Sequence, residues 1–250
     1  MNLTHVASVA YDSLLALVYP QSCVVCGGSV ESRSAGVACA HCWQQTRTFT
    51  GAENLCWKCG LPSLGSTPYE QPEEVRCRRC DEDAFVAARA CGEYAGALRA
   101  SILALKHSPH VCGQLVELLS ETQMRSPLNL ATRIIPVPLH PEREKVRGFN
   151  QAAIIGRALS QVCALPFDEV SLVRTLHTNR HRAGLDAKDR RATVAGAFRV
   201  SYPDLIADER VLLVDDVFTT GATVSSCAKT LLAAGAADVF VLTIARPLRF

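Results

Sequence analysis

The distribution of apolar residues divides the chain into three parts. The stretch Val6–Tyr19 has helical spacing and predicts a helix that Pro20 would end. Residues 23–82 are rich in Cys, Gly, Pro and polar residues and lack long apolar runs, so they cannot build a core unaided. From about Phe85 onward, apolar strands alternate with amphipathic helices, which is typical of βαβ units and a mostly parallel sheet. The predicted organisation is an N-terminal helix, a small module and an α/β domain, over 1–22, 23–82 and 84–250.

Several elements of the α/β part can be predicted from their periodicity. A fully apolar run predicts a buried strand, and apolar residues three and four positions apart predict one face of a helix. Gly235 is well placed to end the last helix. We expect strands at Arg133–Pro138 (running into a loop), Val211–Val214 and Val239–Ala245, and helices at Gln151–Val162 and Ala222–Ala234.

The cysteines add a metal module to this picture. Of the 12 cysteines in 250 residues, eight form four Cys-x-x-Cys pairs, and two such knuckles complete a tetrahedral zinc site. Sequential pairing is the simplest arrangement, although an interleaved one has the same signature. Four thiolates close the metal's coordination shell, so both sites would be structural and their binding energy would substitute for the missing core. The sequential ligand sets are Cys23, Cys26, Cys39 and Cys42, then Cys56, Cys59, Cys77 and Cys80.

Other uses of these cysteines fit less well. A disulfide scaffold would show less regular spacing and would need an oxidising compartment. Redox-active pairs would need a thioredoxin-like context, and an iron–sulfur cluster is a further alternative. The N-terminal stretch is interrupted by Asp12, lacks a basic region and a cleavage site, and is too short to span a bilayer. We therefore expect a cytoplasmic protein whose N-terminal helix docks on the rest, with a membrane-surface anchor as the alternative.

The segment Val211–Thr223 carries the most specific candidate chemistry. Its apolar strand runs into Asp215 and Asp216, followed by Thr219-Thr-Gly-Ala-Thr223 and a helix. Such a loop lets backbone N–H groups and Thr hydroxyls converge on an anion, and the helix N-terminus adds a partial positive charge. The two carboxylates suit vicinal hydroxyls or a Mg²⁺ complex. The pattern predicts a sugar-phosphate site; the alternative is an ordinary capped turn beside a solvated acidic pair.

Taken together, these segments resemble the ComF family, which includes competence protein ComFC and GntX-like proteins. The resemblance runs nearly end to end, and it implies a double zinc ribbon followed by a type I phosphoribosyltransferase-like domain. The Arg147–Gln151 stretch is its most specific part. The matching segments are the Cys pairs, Leu105-Lys106, Val137-Pro138, Arg147-Gly-Phe-Asn-Gln151, Gly196-Ala-Phe198 and Asp215-Asp-Val217.

The resemblance implies a ligand, phosphoribosyl pyrophosphate with Mg²⁺, and roles for individual residues. Asp215 and Asp216 would contact the ribose hydroxyls, and the loop Thr219, Thr220, Gly221, Ala222 and Thr223 would hold the 5′-phosphate. Pyrophosphate would lie beside Arg143, Arg147 and Asn150, with Lys106 as a further contact. A mobile flap would span 174–191. Arg182 in the flap and Thr193 just after it stand where family members commonly have Gln and Asn, a departure that bears on flap closure and transferase chemistry.

Charge is distributed unevenly, although the net charge is only +2. Between Arg133 and Arg191 there are eleven Lys/Arg residues against six Asp/Glu residues. Pyrophosphate explains part of this excess, but the basic residues of the flap exceed what one small ligand needs. Single-stranded nucleic acid is the natural larger polyanion, although few aromatic residues interleave the basic ones. The candidate nucleic-acid residues are Arg180, Arg182, Arg190 and Arg191.

Three functions are compatible with the sequence. The first is an active phosphoribosyltransferase, with Asp215, Asp216 and Arg147 as candidate catalytic residues. The second is a binding module that senses phosphoribosyl pyrophosphate while ribbons and flap engage single-stranded DNA or a DNA-uptake helicase in natural transformation. The third is a structural adaptor with a vestigial site. The sequence favours a competent binding site but reveals no acceptor pocket.

Overall fold

The computed structural model describes residues 21–62, 75–77, 80–175 and 196–248. The predicted N-terminal helix and most of the predicted flap lie outside these residues. The strands are β1 (Gln21–Ser22), β2 (Ser29–Val30), β3 (Ala87–Glu93), β4 (Arg133–Pro136), β5 (Leu172–Arg174), β6 (Phe198–Val200), β7 (Arg210–Val217) and β8 (Asp238–Arg246). The α-helices are α1 (Ala40–Gln45), α2 (Gly96–Ala104), α3 (Gly113–Gln123), α4 (Pro141–Arg147), α5 (Gln151–Cys163) and α6 (Ala222–Ala233).

The central sheet has the strand order β3-β8-β7-β4, and all of its neighbouring pairs are parallel. Its inner strands are apolar because both of their faces are covered. Leu212 and Val214 of β7 pack into one core, whereas Val211 and Leu213 pack into the other. Helices α3 and α5 cover the first face, and α6 covers the second. The predicted mixed α/β fold with a mostly parallel sheet is confirmed.

Element boundaries differ from the predictions in two places that matter for the site. Strand β7 continues to Val217, so Asp215 and Asp216 are still part of the strand and do not follow it. Gln21 and Ser22, which the predicted division places in the N-terminal part over 1–22, form β1 and pair with β2; both lie beyond Pro20, where the predicted helix would end.

The cysteine-rich module covers the outer edge of β3, which would otherwise present unpaired backbone groups. Thr48 pairs with Gly92 in an antiparallel bridge, and the Phe49 N–H donates to the Cys91 carbonyl at 2.8 Å. Further along, the Ala88 N–H donates to the Lys58 carbonyl at 2.7 Å. Both halves of the module are therefore bound to the same edge strand.

Candidate functional site

The eight paired cysteines form two separate clusters, and in each the Sγ atoms all lie within 4.8 Å of one another. The clusters are the two sequential sets, which is the simpler of the two pairings considered. The Sγ atoms of Cys23 and Cys42 are 3.7 Å apart, and those of Cys56 and Cys80 are 3.6 Å apart. A tetrahedron with Zn–S bonds of about 2.3 Å has edges of about 3.8 Å. Both clusters therefore fit a structural zinc ion.

Backbone N–H groups support the sulfur atoms. The Cys39 N–H donates to Cys23 Sγ at 3.3 Å, and the Cys77 N–H donates to Cys56 Sγ at 3.2 Å. Such donors stabilise thiolates. The shell of four sulfurs leaves no open position for substrate, so the zinc ions would hold the fold together and take no part in chemistry.

The second candidate site is a cavity of about 650 Å³ at the carboxyl ends of the sheet strands. In parallel α/β sheets this edge is where ligands commonly bind. All the predicted ligand residues except Gly221 line it, and Gly221 lies in the same loop. The lining includes Asp215, Asp216, Thr219, Thr220, Ala222, Thr223, Lys106, Arg143, Arg147 and Asn150.

The two carboxylates of the acidic pair line this cavity. Asp215 Oδ1 accepts the N–H of Asp216 at 2.9 Å. Burial raises the pKa of Asp216 above its usual value, whereas the Val217 N–H and the positive charges of Lys106 and Arg147 act in the opposite direction. The cations on the cavity wall thus help to keep a partly buried carboxylate ionised, as an acceptor of ribose hydroxyls or a ligand of Mg²⁺ would have to be.

The loop after β7 is shaped by one glycine. Gly221 has φ +77°, and a Cβ built on it would lie 2.9 Å from Cζ of Phe218. Directly after it, α6 begins; Gly221 as the N-cap residue has no side chain to cap it, and the Ala222 N–H makes only a long contact, 3.5 Å, with Thr220 Oγ1. Thr219, Thr223 and the first residue of α6, Ala222, all line the cavity. Hydroxyl groups beside the N–H groups of a helix N-terminus are an arrangement that binds phosphate.

The Arg147–Gln151 stretch joins two helices beside the cavity. Gly148 ends α4 in the left-handed conformation at φ +87°. Asn150 then begins α5: its Oδ1 accepts the Ala152 N–H at 3.1 Å, while its Nδ2 donates to the Val137 carbonyl at 3.1 Å. Asn150 therefore ties the β4 loop to α5, and Arg147 is left at the cavity wall.

Nine further lining residues were not among the predicted contacts, and three of them add to the chemistry or extent of the cavity. Gln151 is 6% exposed, its Oε1 accepts from Arg147, and its Nε2 has no hydrogen-bond partner among the described residues. Gln151 Nε2 is thus a buried, unsatisfied donor next to Arg147, and such groups need an explanation. Tyr94 and Pro247 follow β3 and β8 and extend the lining on the other side of β7. Their position could have been inferred only from the strand order, which brings distant segments to one edge.

The nucleic-acid candidates Arg180, Arg182, Arg190 and Arg191 and the departure at Thr193 lie outside the described residues. Arg174, the first residue of the predicted flap, ends β5 and lines the cavity. The flap segment leaves the body of the protein through β5 and returns through β6, which pair antiparallel. The first residue of the predicted flap thus lies at the candidate site, whereas its other end, at Arg191, is outside the described residues.

Comparison with known proteins gives consistent matches over nearly the whole chain. A double zinc ribbon domain model matches residues 14–81. The DNA utilization protein YhgH of Escherichia coli K12 is 32% identical over 240 residues, which is 93% of this chain and 100% of that protein. Competence protein F of Haemophilus influenzae is 30% identical over 233 residues, covering 90% and 96% of the two chains. The chain belongs to the ComF family.

Membership of the ComF family confirms the predicted resemblance and the double zinc ribbon. A purine phosphoribosyltransferase from Pyrococcus horikoshii is similar in structure, with 14% identity, a TM-score of 0.33, and coverage of 53% of this chain and 80% of that one. No helix among the described residues has the length and apolar character needed to cross a membrane.

Proposed function

We propose that this ComF protein binds phosphoribosyl pyrophosphate with Mg²⁺ in the cavity at the carboxyl edge of the sheet. One observation carries the proposal: an acidic pair, a helix N-terminus whose N-cap is a glycine, and several cations line the same 650 Å³ space. The ribose hydroxyls would bind Asp215 and Asp216. The 5′-phosphate would bind the Thr219–Thr223 loop, which precedes and begins α6.

The pyrophosphate would bind on the β4 side of the cavity. Arg143 and Arg147 lie there on α4, which has no buried residue and presents its basic side chains to solvent and cavity. Lys106 and Gln151 supply further donors. A dense set of cations and N–H donors matches a ligand with several negative charges better than it matches a single phosphate. Asp215 or Asp216 would hold Mg²⁺, which would neutralise part of this charge.

The ligand proposal predicts a large thermal shift. With Mg²⁺ and phosphoribosyl pyrophosphate at about 100 times its dissociation constant, we expect stabilisation of about 2.7 kcal/mol, or about 5 °C or more in melting temperature. Asp215→Asn/Asp216→Asn should lose this shift, because amides replace both charges. Differential scanning fluorimetry measures both proteins.

The unliganded Asn variant serves as its own folding control. Because the pKa of Asp216 is raised in the fold, the folded state binds its proton more tightly than the unfolded state does. Above that pKa the carboxylate therefore destabilises the fold, and its replacement by Asn should leave the melting temperature unchanged or higher. A parent protein that shows no shift would contradict the proposal.

We further propose that the protein acts on incoming single-stranded DNA in natural transformation, in the cytoplasm and beside a DNA-uptake helicase. The names of its relatives, DNA utilization protein and competence protein, support this role. So does the basic excess of the segment between β5 and β6, since β5 ends at Arg174 in the cavity lining. Ligand and DNA would then meet at the same edge of the sheet.

The DNA proposal predicts that binding depends on salt and on the flap. Arg180→Ala/Arg182→Ala should weaken binding of a single-stranded oligonucleotide about tenfold and reduce the salt slope by about 1.4, since two phosphate contacts are lost. Fluorescence anisotropy over a salt series measures both. Arg157→Ala/Arg210→Ala is the matched control, because those cations already pair with Glu169 and Asp238. If the two variants weakened binding of the oligonucleotide equally, the flap would be excluded as the DNA-binding segment.

An active phosphoribosyltransferase is the second candidate function. Tyr94 and Pro247 extend the cavity lining to the β3 side, opposite the proposed pyrophosphate position. An aromatic side chain at that place favours a planar acceptor, which could stack on it. Release of pyrophosphate in the presence of a base or amine acceptor would distinguish the enzyme from the binding module.

A further inference from the structure

The two zinc clusters lie against opposite faces of the central sheet. Cys23, Cys39 and Cys42 of the first cluster pack into the core that contains α3 and α5. The second cluster packs into the other core, which contains α6. That core also includes Phe218, the residue directly before the proposed phosphate loop. The second cluster therefore shares a core with the residue that directly precedes the phosphate loop, whereas the first cluster belongs to the other core.

Two buried arginines lie beside the second cluster. Arg89 is 8% exposed and donates to the Trp57 carbonyl at 2.7 Å, and Arg246 is 3% exposed and donates to the Cys59 carbonyl. Within the described part of the chain, neither guanidinium forms a salt bridge with a carboxylate. Buried charges need such compensation. A Zn²⁺ ion with four thiolates keeps a net double negative charge, which is the charge that these two arginines balance.

One of these arginines, Arg246, connects the second cluster to the residue before the proposed phosphate loop. The guanidinium carbon of Arg246 lies 5.1 Å from the centre of the Phe218 ring, within the range of a cation–π contact. The Phe218 N–H donates to the Ala245 carbonyl at 2.9 Å. Cys59, Arg246 and Phe218 therefore form an unbroken series of contacts from a zinc ligand to the loop.

The residues after Cys80 provide a second connection. The rings of Phe85 and Phe218 are 5.9 Å apart in an edge-to-face contact. The Ala84 N–H donates to Ser225 Oγ, in the first turn of α6, at 3.1 Å. Asp83 Oδ2 lies 3.3 Å from the position that a Cβ on Gly221 would occupy. A three-residue segment that begins three positions after a zinc ligand thus packs on both sides of the loop.

The first cluster has no comparable connection among the described contacts. Its own links to the α/β part lead elsewhere. The Thr46 hydroxyl donates to the Cys42 carbonyl at 2.7 Å and accepts the Ala97 N–H at 2.9 Å, and the residues that follow pair with the edge of β3. Ala97 lies in the first turn of α2, on the opposite face from α6. Loss of the first zinc would therefore disturb α2 before it disturbed the phosphate loop.

We propose that the second zinc cluster is part of the framework of the ligand site: through Arg246, Phe218 and the segment Asp83–Phe85 it holds the Thr219–Thr223 loop in its binding conformation. Zinc at this cluster then controls affinity for the phosphorylated ligand, whereas zinc at the first cluster does not. Arg246 and Phe218 are positioning residues that do not touch the ligand. The affinity part rests on the proposed function, but the loop part does not.

Hydrogen exchange of the full-length protein tests the loop directly. Cys77→Ser and Cys26→Ser are a matched pair, since each replaces the most exposed ligand of one cluster. We expect each to lower the zinc content from two ions to one. Cys77→Ser should accelerate exchange at residues 218–225 about tenfold and weaken phosphoribosyl pyrophosphate binding about tenfold, whereas Cys26→Ser should change neither.

Helix α5 is the internal reference, because its exchange reports loss of the whole fold. If Cys77→Ser accelerates exchange in α5 as well, Arg246→Met is the decisive variant. It should keep two zinc ions and still accelerate exchange in the loop. The loop exchange rate of Arg246→Lys should lie between those of Arg246→Met and the parent. Unchanged loop exchange in Arg246→Met, or equal loop effects in the two Cys variants, would overturn the proposal. A parent that does not bind the ligand would refute the proposed function alone.

Discussion

Replacing Gly60 with Ala is expected to destabilise the protein by about 3 kcal/mol or more. Gly60 has φ +67°, and a Cβ built on it would lie 2.6 Å from the carbonyl oxygen of Ala88. Because the obstructing atom belongs to the backbone of β3, no side-chain rotation can relieve the contact. The second knuckle would have to move away from the sheet edge and lose the Ala88–Lys58 hydrogen bond. Chemical denaturation with zinc present measures the loss.

The chain offers a matched control for this variant. Gly27 occupies the same place in the first knuckle, directly after its second cysteine, and donates to the Cys23 carbonyl as Gly60 does to Cys56. Its φ is +78°, but a Cβ there would meet nothing within 4 Å. Gly27→Ala should therefore cost only about 1 kcal/mol, the backbone penalty alone. Equal losses in the two variants would show that close packing of the second knuckle is unimportant.

The periodic parts of the fold could be predicted because local pattern and tertiary environment agree. Val211–Val214 is apolar at every position, which is what a central parallel strand covered on both faces requires. Gln151–Val162 shows a single apolar face and differs by one residue from the observed helix. The extension of β7 through Asp215 and Asp216 was missed, because carboxylates at a strand end look like the start of a loop.

Features that depend on charge compensation could not be predicted. Arg89 interrupts the apolar run of β3 and Arg246 ends β8, so a sequence pattern would place both on the surface, yet both are buried because a thiolate cluster lies beside them. Burial lowers the pKa of Arg89 to about 10, and the nearby thiolates of Cys56 and Cys59 oppose that shift. The pairing of the cysteines was likewise open, since four equivalent knuckles have one sequence signature and only the fold distinguishes them.

The candidate site, too, could be predicted from the sequence only in part. The acidic pair and the Thr-rich loop are contiguous, so a single segment revealed the phosphate end. Lys106, Asn150 and Tyr94 belong to three other segments, and only the strand order brings them to one cavity. The family resemblance supplied the first two as expected contacts. Tyr94 carries no motif, and neither local pattern nor resemblance identified it.

Replacing Gly221 with Ala is expected to weaken binding of phosphoribosyl pyrophosphate at least about tenfold while the fold is retained. An L-residue at φ +77° costs about 1–2 kcal/mol, and its Cβ would lie 2.9 Å from Cζ of Phe218 and 3.3 Å from Asp83 Oδ2. Relief requires the loop to shift, so the N–H donors at the start of α6 would no longer converge on one point. Isothermal titration with Mg²⁺ and the ligand measures the change.

Gly235→Ala separates the loop effect from the backbone penalty. Gly235 lies at the other end of α6 and also has a positive φ, +100°, but a Cβ there would make only ordinary contacts with Ala207, at 3.6 Å and beyond. We expect a similar loss of stability, about 1 kcal/mol, and no loss of affinity. If both variants weakened binding equally, general softening of α6 would explain the result and the geometry of the loop would not. A loss confined to Gly221→Ala would tie affinity to the backbone conformation between Phe218 and Ala222, where the anion is expected to bind.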